Sequence, residues 1–206
     1  MTDDDNLSEI QIGCFGDSTV GKTYLTRRYI KDPKIDYTLT TIGVEFLKTK
    51  RILSDGNKYK VTIYDTAGQE RYRSISLNSM RHCDGVILVY DITNRESFNS
   101  ISTWMNNIYD IKEKDFPLIL IGNKSDLKNQ REVTTEEGLE AAEQYKIKFF
   151  ETSAKEGINV EQSIDELLNI MISKNLIKIN KIKKSESIKL DKRKSTGKKK
   201  HNCCKK

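Results

Sequence analysis

The chain has 206 residues, of which 36% are hydrophobic and 32% are charged, and its mean hydropathy is −0.64. This length suits one ordinary domain with an extension, since domains usually contain about 100 to 200 residues. No run approaches the roughly 18 uninterrupted apolar residues that crossing a bilayer requires, which argues against a membrane-spanning chain. The acidic N-terminal sequence has no apolar segment of the secretory kind, so we expect an intracellular protein.

The net charge of +6 is divided unevenly along the chain. Residues 173–206 contain 14 Lys and Arg and only two acidic residues, a net charge of +12. Residues 1–172 contain 22 basic and 28 acidic side chains, a net charge of −6. Like-charge repulsion and a shortage of large apolar residues disfavour a packed core in the tail. We therefore expect one domain at residues 8–175, between a disordered segment at residues 1–7 and a basic tail at residues 176–206.

Six short apolar or β-branched runs predict β-strands. They lie at residues 10–15, 44–53, 59–65, 85–92, 117–123 and 148–154. Asp55-Gly56 between the second and third runs is typical of a tight hairpin, which predicts that these two strands are antiparallel neighbours. Two later runs, at residues 85–92 and 117–123, are apolar on both faces, as expected for strands that helices cover on both sides.

Helical patterns alternate with the predicted strands. They lie at residues 21–31, 94–112, 134–145 and 158–175. Thr134 begins a Thr-Thr-Glu-Glu sequence that can cap its helix. The alternation predicts an α/β fold with a six-stranded, mostly parallel sheet, one antiparallel strand, and helices on both faces.

Residues 16–23 match the phosphate-binding pattern G-x-x-x-x-G-K-[ST], placed after a strand and at the start of a helix. Such a loop directs backbone N–H groups and the positive end of the helix towards phosphate, which predicts a P-loop NTPase fold. Lys22 can reach the β- and γ-phosphates, and the Thr23 hydroxyl can bind Mg²⁺. The candidate nucleotide contacts in this loop are Gly16, Asp17, Ser18, Thr19, Val20, Gly21, Lys22 and Thr23.

A phosphate-binding loop does not by itself distinguish a kinase, an ATPase and a GTPase. Asp65, at the end of the third predicted strand, can hold Mg²⁺ through water. Asp126 follows the fifth strand, and its carboxylate can accept hydrogen bonds from N1–H and the 2-amino group of guanine, two donors that adenine lacks. This favours GTP over ATP. Ser153-Ala154-Lys155 ends the sixth strand, at the sheet edge where open α/β folds bind ligands.

In this order and spacing, the sequences GDSTVGKT, TIGVEF, DTAGQE, NKSD and ETSAK resemble the Ras-superfamily small GTPases. TIGVEF, RYRSI and LVYDIT are similar to the Rab branch in particular, over about residues 8–175. The resemblance implies a switch that hydrolyses GTP to GDP and phosphate slowly and is stimulated by an activating protein. It also implies that the GTP-bound form recruits effectors to membranes in vesicle trafficking.

The same resemblance implies roles for individual residues. Thr41 joins Thr23 and Asp65 at Mg²⁺, while the Gly68 backbone contacts the γ-phosphate. Gln69 is the expected catalytic residue because it orients the attacking water. The remaining expected nucleotide contacts are Tyr37, Asn123, Lys124, Asp126, Ser153, Ala154 and Lys155.

Three features depart from the family pattern. Thr19 stands in the phosphate loop at a position that is often glycine. Lys34 stands where an aromatic residue often stacks on guanine, and Tyr37 is only the nearest aromatic residue. Rab proteins usually present Phe, Trp and Tyr to effectors. Here that expected effector face reads Phe46, Tyr64 and Ser79, so we expect intact switch chemistry and an altered recognition face.

The tail resembles a lipid attachment site. Cys203 and Cys204 are adjacent, like the double geranylgeranylation site of the family, and lysines surround them. Two lipid chains, or one chain with a basic patch, anchor a protein stably to an anionic membrane surface. We therefore expect a protein at the cytoplasmic face of intracellular membranes that cycles with the cytosol.

The expected partners are those that the resemblance implies. They are a guanine-nucleotide exchange factor, a GTPase-activating protein, a GDP-dissociation inhibitor, a prenylation escort protein and effectors, with the chain itself a monomer. Two other hypotheses stay open. One is a GTP-loaded scaffold with little turnover, suggested by Thr19 and the altered effector face. The other is a nucleic-acid-binding GTPase, suggested by the basic tail, although no nucleic-acid partner is expected.

Overall fold

The computed structural model describes residues 7–33, 35, 43–66 and 73–174, without the side chains of residues 73–76. Six strands form one sheet. The strands are β1 (Ser8–Phe15), β2 (Val44–Ile52), β3 (Lys58–Thr66), β4 (Gly85–Asp91), β5 (Leu118–Asn123) and β6 (Lys148–Thr152). Their order across the sheet is β2-β3-β1-β4-β5-β6. β2 and β3 are antiparallel and the other neighbours are parallel, which confirms the predicted α/β fold.

Six helices accompany the sheet in the described part of the chain. They are α1 (Lys22–Ile30), α2 (Arg73–Met80), α3 (Arg95–Asn99), α4 (Ile101–Tyr109), α5 (Thr135–Tyr145) and α6 (Val160–Ser173). A 3₁₀ turn also lies at Lys128–Gln130. Among the described residues, no helix combines the length and the apolar character that a membrane span requires.

The apolar core lies on both faces of the sheet. On one face, α1 and α6 bury residues such as Leu25 and Leu167 against the strands. On the other face, α2, α4 and α5 contribute residues such as Met80 and Trp104. All residues of β4 and β5 are buried, as their two-sided apolar pattern predicts.

Two helical features differ from the prediction. The predicted helix at residues 94–112 is divided into two helices at Ser100, which is the C-cap of α3 and the N-cap of α4. Ser100 itself has helical torsion angles, so the apolar pattern continues through the division and does not reveal it. The helix α2 was not predicted at all. Its sequence RSISLNSM has too few apolar residues for a clear helical repeat, so tertiary packing decides its conformation.

The sheet places the candidate site at one edge. The carboxyl ends of β1, β5 and β6 meet there because these strands are parallel. The order of the strands also reverses direction at β1, between β3 and β4, and open α/β sheets bind ligands at such a point.

Candidate nucleotide-binding site

The phosphate loop joins β1 to α1, and two glycines shape it. Gly16 has φ of +138° and Gly21 has φ of +96°, torsions that other residues rarely adopt. A Cβ atom at Gly16 would collide with the backbone oxygen of Val89, and one at Gly21 would collide with the amide of Asn123. Both positions therefore require glycine for conformation and for space.

Thr19, in the same loop, has a left-handed backbone with φ of +64°. This torsion is strained for a β-branched residue, whereas glycine adopts it freely. The conformation explains why glycine suits this position. The loop has the left-handed turn even though threonine occupies it.

Lys22 begins α1 and lies under the loop. Its ammonium donates hydrogen bonds to the backbone oxygens of Gly16 at 3.0 Å and Asp17 at 2.6 Å. Only 5% of the residue is exposed, and this burial lowers its pKa, while nearby negative charge, including Asp65, acts in the opposite direction. The structure thus places a nearly buried ammonium at the loop, where phosphate oxygens could accept from it.

Thr23 and Asp65 bring oxygen ligands to the same place. The Thr23 hydroxyl donates to the Asp65 carboxylate at 2.6 Å, and Asp65 is fully buried at the end of β3. Mg²⁺ prefers such hard oxygen ligands and usually takes only one or two carboxylates from the protein, with phosphates and water completing its shell. The donor set of these two residues fits Mg²⁺.

Beside the phosphate loop lies a cavity of about 470 Å³, which is within the size range of small-molecule sites. We call it the base cavity. Its walls are formed by Gly21, Tyr24, Asn123, Lys124, Asp126, Leu127, Ala154 and Lys155.

Asn123 connects three segments around this cavity. Its amide nitrogen donates to the backbone oxygen of Val20 at 2.9 Å, and its amide oxygen accepts from the Ala154 backbone at 3.2 Å. The Thr152 hydroxyl also donates to that oxygen at 3.1 Å. Because Asn123 is only 1% exposed, its hydrogen bonds replace those that water would make, and they hold the phosphate loop against the end of β6.

Asp126 is oriented by the loop after β6. The Ser153 hydroxyl donates to one carboxylate oxygen of Asp126 at 2.6 Å, and the Glu156 backbone donates to that hydroxyl at 3.0 Å. Lys124 has φ of +69° and pairs with Asp91 at 2.5 Å. The structure therefore brings together the described residues that were predicted for the base: Asn123, Lys124, Asp126, Ser153, Ala154 and Lys155.

Known proteins are similar to this chain over most of its length. The model of the Ras family matches residues 12–173. Ras-related protein Rab-3C of Bos taurus is 42% identical over 159 residues, which are 77% of this chain and 70% of that protein. Ras-related protein Rab-8 of Diplobatis ommata is 42% identical over 89% of this chain and 86% of its own. Ras-related protein Rab-8B of Homo sapiens is 43% identical over 80% and 79%, respectively.

The chain is a Rab small GTPase of the Ras family. This membership confirms the predicted family, the hydrolysis of GTP and the function as a switch in vesicle trafficking. Rab GTPases bind GTP and GDP, generally with Mg²⁺, and act with regulators and effectors. The scaffold hypothesis, which assumed little turnover, is therefore not the better description.

Some predicted residues of this Rab GTPase lie outside the described part of the chain. They are Lys34, Tyr37, Thr41, Gly68, Gln69, Cys203 and Cys204. Their roles stay predictions. The predicted domain boundaries at residues 1–7 and 176–206 lie largely outside it as well.

All three residues of the expected effector face lie in the described part of the chain. Phe46 and Tyr64 are cross-strand partners on β2 and β3, and their rings meet edge to face with centroids 4.9 Å apart. Phe46 is 57% exposed, so its ring is available to a partner. Ser79 is half-buried on α2, which packs against β1 and β2.

Sequence reasoning missed two residues near the site. Trp104 is buried in the core, as predicted, but its indole N–H also donates to Asp17 of the phosphate loop at 2.8 Å. No local pattern could indicate this contact, because the two residues are 87 positions apart. Tyr24 lines the base cavity, and its place directly after the phosphate-loop motif was the available signal.

Proposed function

We propose that the phosphate loop, Asp65 and the base cavity form the single GTP-binding and GTP-hydrolysing site of this Rab GTPase. The observation that carries the proposal is the position of Asn123, which links Val20 of the phosphate loop to Ala154 beside the base cavity. A nucleotide has its phosphates and its base at opposite ends. A protein that binds both ends needs its phosphate loop and base pocket held at a constant separation.

In this site, the phosphate loop binds the β- and γ-phosphates through backbone N–H groups, and Lys22 adds its positive charge. Thr23 and Asp65, with Thr41, would hold Mg²⁺, which when bound would neutralise charge on the phosphates. Gln69 orients the attacking water. The protein thus accelerates hydrolysis mainly by positioning groups and stabilising charge.

Asp126 selects guanine. Its bond to Ser153 occupies one carboxylate oxygen, and a carboxylate has further acceptor capacity for N1–H and the 2-amino group. With adenine these acceptors would be desolvated and left without donors. The remaining nucleotide contacts come from Lys124, Lys155 and, beyond the described residues, Tyr37.

Loss of the γ-phosphate removes its contacts with Thr41 and Gly68, and the segments that carry them change conformation. An exchange factor, a GTPase-activating protein and a GDP-dissociation inhibitor recognise the GDP-bound or GTP-bound state or convert one into the other. Effectors of the GTP form bind at the face of Phe46, Tyr64 and Ser79, where the exposed Phe46 ring offers an apolar contact.

The tail attaches this GTPase to membranes. A prenylation escort protein presents Cys203 and Cys204 for lipidation, and the surrounding lysines bind the anionic cytoplasmic leaflet. The protein then cycles as a monomer between intracellular membranes and the cytosol. The +12 charge of residues 173–206 supports this attraction.

The proposal is tested by titrating nucleotide-free protein with GDP and with ADP in the presence of Mg²⁺, in a calorimeter. We expect a strong preference for GDP.

Replacing Asp126→Ala should weaken GDP binding by about 100-fold or more, because hydrogen bonds to a charged group are lost, and ADP binding should change little. Asp110→Ala, which removes an exposed carboxylate at the end of α4, is the matched control and should bind GDP normally. Equal affinity of the wild type for both nucleotides would refute the proposal.

A further inference from the structure

Among the described residues that line the base cavity, Tyr24 is the one with an aromatic side chain. It is the third residue of α1, one position after Thr23, and it packs half-buried against the core. The assignments above give no role to its ring. The walls of the cavity also include Asp126 and Lys155, which are assigned to the base.

A bound purine presents a large flat face that needs apolar cover. Stacking of an aromatic side chain on a base typically changes affinity by about tenfold to a hundredfold. Tyr24 offers an aromatic surface from a helix next to the phosphate loop.

Arg28 contacts both Tyr24 and the loop after β6. Its guanidinium carbon lies 5.7 Å from the centroid of the Tyr24 ring, within the range of a cation–π contact. The same guanidinium donates to the backbone oxygens of Ala154 at 2.8 Å and Lys155 at 2.6 Å. Arg28, in the last turn of α1, therefore links this helix to the loop after β6, and its contact with the Tyr24 ring positions that ring before any ligand arrives.

We propose that Tyr24, supported by Arg28, is an affinity-determining residue that packs its ring against the nucleoside of bound GDP or GTP. The inference rests on the proposed function of the base cavity as the guanine nucleotide site.

The test is the dissociation rate of tritiated GDP from the Mg²⁺ complex of the full chain, chased with unlabelled GDP. Tyr24→Ala should release GDP about tenfold faster, and Tyr24→Phe should stay within about twofold of the wild type because it keeps the ring. Tyr109→Ala is the matched control. Tyr109 is a half-buried tyrosine that lines a different groove, and its removal should leave the rate unchanged.

Inosine diphosphate adds a readout that separates stacking from hydrogen bonding. It lacks the 2-amino group but has the same ring system, so Tyr24→Ala should weaken GDP and inosine diphosphate by the same factor. Asp126→Ala should weaken GDP more than inosine diphosphate. A Tyr24→Ala effect restricted to GDP would contradict a stacking role.

The outcomes distinguish this inference from the function on which it rests. If Tyr24→Ala releases GDP at the wild-type rate while Asp126→Ala releases it faster, the proposed role of Tyr24 is wrong and the proposed site is still supported. No binding of GDP to the wild type would overturn the proposed site. If Tyr24→Ala does not fold, Tyr24→Leu replaces it, because leucine keeps an apolar side chain without a ring. GDP release from Tyr24→Leu at the same rate as from Tyr24→Phe would then reject the inference.

Discussion

At the scale of single residues, Thr19 of the phosphate loop has a side chain that does not suit its backbone conformation. Thr19 is exposed and has φ of +64°. For L-residues other than glycine, asparagine and aspartate, the left-handed region costs roughly 1 to 2 kcal/mol, because Cβ crowds the carbonyl oxygen. The folded protein tolerates this strain because Gly16, Gly21 and Lys22 fix the loop on both sides of Thr19.

Replacing Thr19→Asn should therefore stabilise the nucleotide-free protein. Asparagine tolerates the left-handed region, so we expect the free energy of unfolding to rise by about 1 kcal/mol in urea denaturation. Thr19→Val is the matched control, because it keeps the branched Cβ and the strain and should give no gain. Equal stability of the two variants would show that the torsion at this position carries no strain.

At the scale of an element, α5 is attached at its first turn by a capping box and an ion pair. The Thr134 side chain accepts from the Glu137 backbone at 3.2 Å, and the Glu137 carboxylate accepts from the Thr134 backbone at 2.8 Å. The same carboxylate pairs with Arg95 of α3 at 2.5 Å. The Thr-Thr-Glu-Glu sequence predicted the cap, and it is confirmed. The partner on α3 is a product of the fold.

This arrangement predicts a pH dependence of stability. Arg95 and the Thr134 backbone lower the pKa of Glu137 from 4.5 to about 2, because both interact with the ionised carboxylate. A depressed folded-state pKa gives stability that is present above pH 4.5 and is lost as the pH falls towards 2. In urea denaturation, Glu137→Gln should be less stable than the wild type at pH 7, and the difference should shrink below pH 4.5. A difference that is independent of pH would mean that the ionised pair contributes nothing.

At the scale of the whole molecule, the site is assembled from segments that are far apart in the chain. Asn123 bonds to Val20 across 103 positions, and Arg28 bonds to Ala154 across 126 positions. A ligand that contacts these segments together binds only the folded protein, so binding adds to the stability of the native state. The nucleotide is then part of what holds the switch folded.

Removing Mg²⁺ and nucleotide should therefore lower the melting temperature. At a GDP concentration 100 times its Kd, the added stability is about 2.7 kcal/mol, which corresponds to a shift of several degrees in a protein of this size. We expect thermal unfolding, followed by circular dichroism, to show this shift with GDP and Mg²⁺, and chelation to reduce it. ADP at the same concentration serves as the control. A shift of the same size with ADP would argue against guanine selection.

Much of this protein could be read from local sequence patterns. The strands, the hairpin at Asp55-Gly56 and the cap at Thr134 were all predicted, because alternation, turn residues and capping residues act over a few neighbouring positions. The phosphate loop and its glycines belong to the same class. The helix α2 and the division between α3 and α4 were not predictable, since tertiary packing overrides their weak local signals.

The sequence by itself determined the order of the elements, the phosphate-binding loop motif and the Rab family, and it predicted the base-binding residues, because each of these is a pattern along the chain. Only the tertiary structure decided how the site is supported. The bond from Trp104 to Asp17, the links through Asn123, and the contact of Arg28 with Tyr24 join distant positions. Such contacts depend on how a whole sheet and its helices pack, and no local pattern of residues specifies them.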